Sequence, residues 1–230
     1  MTALTPEEIA AVVLSLRVAS VATLASLPFA IALGWLLARR RFPGRLLLDA
    51  LVHLPLVLPP VVTGYALLVL FGRQGTVGAW LQDTLGVSLA FRWTGAALAC
   101  AVMGFPLMVR AIRLSIEAVD ARLENAAATL GASPWRVFAG ITLPLAWPGI
   151  VGGAVLGFAK AVGEFGATIT FVSSIPGETQ TLSSAIYALL QVPGGEGRVW
   201  LLCGVSVAIS FAAMLAAEAL AQRQRREPAA

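Results

Sequence analysis

Leu123-Glu124-Asn125-Ala126-Ala127-Ala128-Thr129-Leu130-Gly131 is a polar island in an otherwise oily chain, and Ile141-Thr142-Leu143-Pro144 begins ten residues after its glycine. Asp120 stands where a side-chain oxygen can cap free backbone N–H groups, ahead of a stretch, Ala121 to Leu130, rich in the strong helix formers alanine and leucine. Gly131 supplies a residue that accepts the left-handed conformation with which helices end. Ser133 reads as a second N-cap, with Pro134 at the first helical position, where no N–H is needed. Local rules alone predict two short helices joined by a tight turn. Ala126 and Ala127 leave a smooth patch that another backbone can approach. The competing reading is a linker helix lying on lipid headgroups.

Outward from the island, composition sets the surroundings. The chain has 230 residues, 58% hydrophobic and 12% charged, whereas soluble domains lie nearer half apolar and about a quarter charged. It reads as an integral membrane protein with room for five or six spans and none for a separate soluble domain. Lys and Arg number 16 against 12 Asp and Glu, but these charges sit at the ends of apolar runs, which argues for topology and against nucleic acid. Cys100 and Cys203 lie inside apolar runs, without a Cys-x-x-Cys spacing or a neighbouring histidine. They behave as small hydrophobes, and neither a disulfide nor a metal site is expected. The first apolar run starts after Glu7 and Glu8 and ends at Arg39-Arg40-Arg41, the reverse of a cleavable signal peptide.

A span needs about 20 apolar residues. Five candidates emerge: about Ile9 to Ala38, Leu48 to Phe71, Thr94 to Val109, Leu145 to Val172, and Trp200 to Leu220. Leu182 to Leu190 is too short and reads as a short or re-entrant helix. Basic residues set direction. Eleven arginines (39, 40, 41, 45, 110, 113, 122, 136, 223, 225 and 226) fall on one side, and three (73, 92 and 198) on the other. The expectation is an all-α polytopic fold with five transmembrane helices, N-terminus out and C-terminus in, which places the polar island in the cytoplasm. Trp35, Trp93, Trp147 and Trp200 fall near span ends, as amphipathic rings do. Gln222 to Ala230 reads as a polar, frayed tail.

The island, from about residue 117 to 144, resembles the EAA loop of ABC importer permeases: Glu-Ala-Ala, three residues, Gly, nine residues, Ile, one residue, Leu-Pro. Here the pattern runs Asn125-Ala126-Ala127, Gly131, Ile141-Thr142-Leu143-Pro144. One departure stands out: Asn125 occupies the glutamate position and Glu124 lies just before it. Pro55 to Gly64, Gly163-Glu164-Phe165-Gly166-Ala167 and Ile175-Pro176-Gly177-Glu178-Thr179-Gln180-Thr181 are similar to segments of molybdate-transporter permeases. The resemblance covers nearly the whole chain and implies one transmembrane permease domain, 1–230, of the type I importer fold. It implies that Glu124, Asn125, Ala126, Ala127, Gly131, Ile141, Leu143 and Pro144 form the docking loop for an ATPase subunit. It further implies a periplasmic oxyanion-binding protein, a homodimer of this chain, and a location in the inner membrane. The cargo implied is molybdate, with sulfate, thiosulfate or tungstate as the alternatives. Lys160 is the only lysine and follows Ala159, so no Gly-x-x-x-x-Gly-Lys-Ser/Thr phosphate loop exists. ATP and its magnesium are expected on the partner chain, this chain holding no cofactor and doing no covalent chemistry.

Polar residues inside the spans mark a candidate pathway. Lys160 and Glu164 stand four apart and read as neighbours on one face of the fourth span; a self-neutralising pair and a pathway role both fit. Pro59 and Pro60 should kink or break the second span, and irregular backbone there suits a cavity, which brings in Thr63 and Gly64. Thr168 offers a hydroxyl to an oxyanion or bonds back to its own helix. Arg17 reads as a side chain snorkelling to the headgroups. Gly149, Gly153, Gly157 and Ala161 form a row of small residues, fit for close packing within the subunit or against a second copy. Two rivals remain. An ion-coupled secondary transporter would use Lys160 and Glu164 as a relay, and an intramembrane enzyme would need a nucleophile–base pair or metal ligands within the spans.

Overall fold

Thr5 starts the first helix through a reciprocal cap: its hydroxyl accepts from the Glu8 N–H, and the Glu8 carboxylate accepts from the Thr5 N–H at 2.8 Å. The computed structural model describes residues 4–226, which hold helices and turns but no strand. In chain order the helices are α1 (Pro6–Arg39), α2 (Arg45–Val57), α3 (Pro60–Phe71), α4 (Thr76–Leu85), α5 (Trp93–Glu117), α6 (Ala121–Thr129) and α7 (Pro134–Val137). A π-helical turn over Phe138–Thr142 leads into α8 (Leu143–Val162), followed by α9 (Gly166–Val172), α10 (Leu182–Leu190) and α11 (Glu196–Arg226).

Four uninterrupted stretches are long and apolar enough to cross a membrane: Pro6–Arg39, Trp93–Glu117, Pro134–Val162 and Glu196–Ala216. The fifth candidate, α2 with α3, is bent by 112° at Leu58-Pro59, as paired prolines without N–H donors require. Three expectations need correction. The second knob helix is not separate, because α7, the π turn and α8 run on as one 29-residue rod. That rod begins at Pro134, not near Leu145, and stops at Val162, with α9 a distinct piece beyond Gly163. Helix α5 continues past Val109 to Glu117, and at its polar end Arg113 bridges Glu117 at 2.8 Å and Asp49 of α2 at 3.1 Å. At the other end of the chain, α11 is helical through Arg226, which takes in the first part of the polar tail; 227–230 lie outside the described residues.

Helix α5 is the centre of the packing, lying against α1 on one side and α8 on the other. Its buried face (Ala96, Ala99, Cys100, Met103, Met108, Val109, Ile112, Ile116) is mostly small or flexible, and α1 answers with Ala19, Ala22 and Ala30. Lipid tails are as apolar as leucine, so close van der Waals contact has to hold such helices together. The glycine row on α8 supplies it. A Cβ on Gly149 would lie 2.1 Å from the Ser115 Cβ, and one on Gly157 would lie 2.6 Å from the Met108 sulfur. Both neighbours belong to α5, so the row is a packing surface within the subunit.

The far end of α1 is tied to α10 and α11. Ser15 accepts from the Leu182 N–H at 2.6 Å, and Glu8 bridges Arg198 at 2.9 Å. Arg17 stays exposed, as a snorkelling side chain would, and its guanidinium carbon sits 3.8 Å over the Trp93 ring at the start of α5, a cation–π contact.

Candidate docking knob and translocation path

The knob forms by local rules. Asp120 caps α6 by accepting from the Arg122 N–H at 2.9 Å. At the other end Ala132 N–H donates to Ala127 O and Gly131 N–H to Ala128 O, both at 3.0 Å. That is the two-bond glycine termination, with Gly131 at φ +85°. A Cβ on Gly131 would meet nothing, so the constraint there is backbone conformation alone. Leu123, Leu130 and Trp135 project to the outside, 49%, 88% and 72% exposed, and Asn125 and Ala126 are exposed beside them. Ala127 is half-buried. Trp135 leans on Phe138, which meets Trp35 of α1 edge-on at 5.9 Å.

Glu124, grouped in sequence with the docking residues, turns the other way. Its carboxylate bridges the Arg39 Nε at 3.0 Å and accepts from the Thr142 hydroxyl at 2.6 Å. Ile141 and Leu143 are half-buried, Leu143 against the cluster around Met108 and Ile112, and Pro144 is exposed. Pro144 explains the π turn. It lacks an N–H, and its ring would strike the Gly140 carbonyl in a regular helix. The chain widens instead, and Leu143 N–H donates to Phe138 O, five residues back.

In the candidate pathway two broken helices meet. A Cβ on Gly166 would lie 2.7 Å from the Pro60 Cβ, and one on Gly64 would lie 2.5 Å from Ala167 O. The break at Pro59-Pro60 thus abuts the break at Gly163–Phe165, and α3 crosses α9 backbone to backbone. Thr63 and Gly64 are buried in that crossing, while Tyr65 is 62% exposed. Lys160 and Glu164 do form a pair at 2.5 Å, yet not along one continuous helix, since α8 ends at Val162. Glu164 is enclosed, and its second oxygen accepts from the Ala167 N–H at 3.0 Å, capping α9. Lys160 keeps about a third of its side chain open. The Thr168 hydroxyl is occupied by Phe165 O at 2.9 Å, the back-bonded arrangement. Sequence reasoning missed Thr179, whose buried hydroxyl accepts from Ile175 N–H at 2.9 Å and donates to Val172 O at 3.2 Å. The Pro-Gly-Glu-Thr-Gln-Thr run is therefore shaped from within, and a hydroxyl three residues beyond a Pro in a turn was its only sequence signal.

Residues 30–226 match the family described as binding-protein-dependent transport system inner membrane component. The chain belongs to this family. As one of its permeases it is a translocation component, not an enzyme, and a multi-pass membrane protein. The permease is 60% identical over 222 residues, 96% of this chain and 97% of the relative, to the molybdenum transport system permease protein ModB of Escherichia coli (strain K12). It is 38% identical to the E. coli sulfate transport system permease protein CysT, across 81% of this chain and 67% of that one. Its fold is shared with a chain of the MetNI methionine ABC transporter in inward-facing conformations, at TM-score 0.73 and 16% identity over 94% of this chain and 95% of that one. The five-span, all-α expectation agrees with this importer fold.

Proposed function

We propose that the permease carries molybdate across the inner membrane as the membrane-spanning half of an ATP-driven importer. The observation that carries this is 60% identity, nearly end to end, to a molybdenum permease, well above the 38% to a sulfate permease. Two copies of the chain would enclose the path, two ATPase subunits would seat on the knobs from the cytoplasm, and a periplasmic oxyanion-binding protein would deliver cargo. ATP and magnesium belong to the ATPase. The docking face is Leu123, Asn125, Ala126, Leu130 and Trp135, uncharged and apolar except for the Asn125 amide, grouped around the Gly131 turn. On the path, Lys160 is the cation placed to meet a dianion, while Pro59, Pro60, Thr63, Gly64, Glu164 and Thr168 build the broken helices that hold it.

A pull-down of the detergent-solubilised permease tests the partner, and uptake of labelled molybdate into vesicles tests the cargo. The unaltered chain should recover the ATPase and Gly131→Arg should not. Excess sulfate should compete poorly with molybdate. Competition at equal concentration would move the assignment to a sulfate permease, and uptake without any ATPase would favour the ion-relay transporter.

A further inference from the structure

Helix α6 has no fully buried residue, so apolar packing does not fix its angle to the body. Its inward side is marked by Glu124 and, three residues on, half-buried Ala127, which share a helix face. Glu124 makes the polar anchor on that face. One partner is Arg39, the last residue of α1, whose Nη2 also donates to Val119 O at 3.0 Å in the corner between α5 and α6. The other is Thr142, 1% exposed, at the end of the π turn under α8. Glu124 and Arg39 keep only 16% and 19% of their side chains exposed, so this charge-assisted cluster is sheltered from the water that weakens surface pairs.

We infer that Glu124 is a positioning residue that locks the coupling helix to α1 and to the π turn, so that movement imposed on α6 is delivered to both spans. The lock rests on the proposed docking of an ATPase at the knob, but assigns Glu124 to the inside of the permease instead of to that contact. Asn125 keeps the exposed position beside it. The π turn created by Pro144 places the Thr142 hydroxyl under α6, so the Leu-Pro pair and the acidic residue 20 positions earlier act as one device.

The test is the complete transporter (permease, ATPase and binding protein) in proteoliposomes, scored for molybdate moved per ATP hydrolysed. With Glu124→Gln the ATPase should still co-purify, while molybdate per ATP falls at least about fivefold, the low end of an allosteric coupling. Thr142→Val, which removes one hydroxyl, should give a smaller fall of the same kind. The double variant should be no worse than Glu124→Gln alone, because groups acting as one unit are not additive. A ratio unchanged in Glu124→Gln with the ATPase bound overturns the lock alone, as does loss of the ATPase from that variant, which would make Glu124 a docking contact. If Glu124→Gln cannot be recovered from membranes, Thr142→Val decides by the same ratio. Failure of the unaltered permease to recover any ATPase would overturn the docking reading and the lock with it.

Discussion

At Gly157 a missing side chain sets the distance between two helices. The Met108 sulfur fills the place where a Cβ would go, so Gly157→Leu should overpack the α5–α8 contact and cost about 1–3 kcal/mol. Gly152, one residue from the row and with nothing within 4 Å of a Cβ, should accept alanine with no loss. Thermal unfolding in detergent would compare the two, and equal stability would deny the packing role. Lys160 is judged the same way. Lys160→Met leaves the enclosed Glu164 carboxylate unpaired and should cost about 3–5 kcal/mol, whereas Lys160→Met with Glu164→Gln should restore most of it, because both charges are gone. In that double variant the glutamine amide oxygen still accepts from the Ala167 N–H. A stable double variant without molybdate uptake would place the pair on the path; one with normal uptake would make it structural. The pair was legible as a four-residue spacing. Its origin at a helix break was not, since Gly163 also fits inside a helix.

Among elements, the rod from Pro134 to Val162 is the most informative. The span was expected to begin near Leu145, just past Pro144, yet the chain absorbs Pro144 with one wide turn and is already helical from Pro134. Pro144→Ala restores an N–H to bond Gly140 O, so the wide turn should relax to regular α-helix. A structure of that variant would then have Leu143 N–H on Ala139 O, and the rod before it would rotate by about 100°, one residue's share of a turn. Thr142 would leave Glu124. Retention of the π turn would mean that tertiary contacts, and not the proline, hold it open. Helix α6 and its glycine termination were readable from Asp120 to Gly131 because capping and left-handed termination are local events. The inward aim of Glu124 was not readable: it depends on Arg39, 85 residues away.

For the whole molecule, the arginine imbalance predicts an orientation that labelling checks. With Cys100 and Cys203 replaced by alanine, Ser88→Cys in the α4–α5 loop should react with a membrane-impermeant maleimide in intact cells. Ser133→Cys on the knob should react only after permeabilisation. The reverse pattern would put the knob outside and remove the basis for ATPase docking. The two ends of α1 are also held differently: Glu8 and Arg198 tie one end to α11, and Arg39 and Glu124 tie the other to the knob. A tilt of α1 therefore involves both.

The sequence by itself determined that the chain crosses a membrane several times, that it breaks at Pro59-Pro60, that it folds a capped helix after Asp120, and which transporter family that helix resembles. These are consequences of composition and of interactions spanning a few residues. Only the tertiary structure decided that the glycine row faces α5, that the two helix breaks abut, that Arg17 rests on Trp93, and that Glu124 points inward. Each of these joins residues far apart in the chain, where the outcome depends on which helix lies alongside, and spacing along one strand of sequence carries no record of that neighbour.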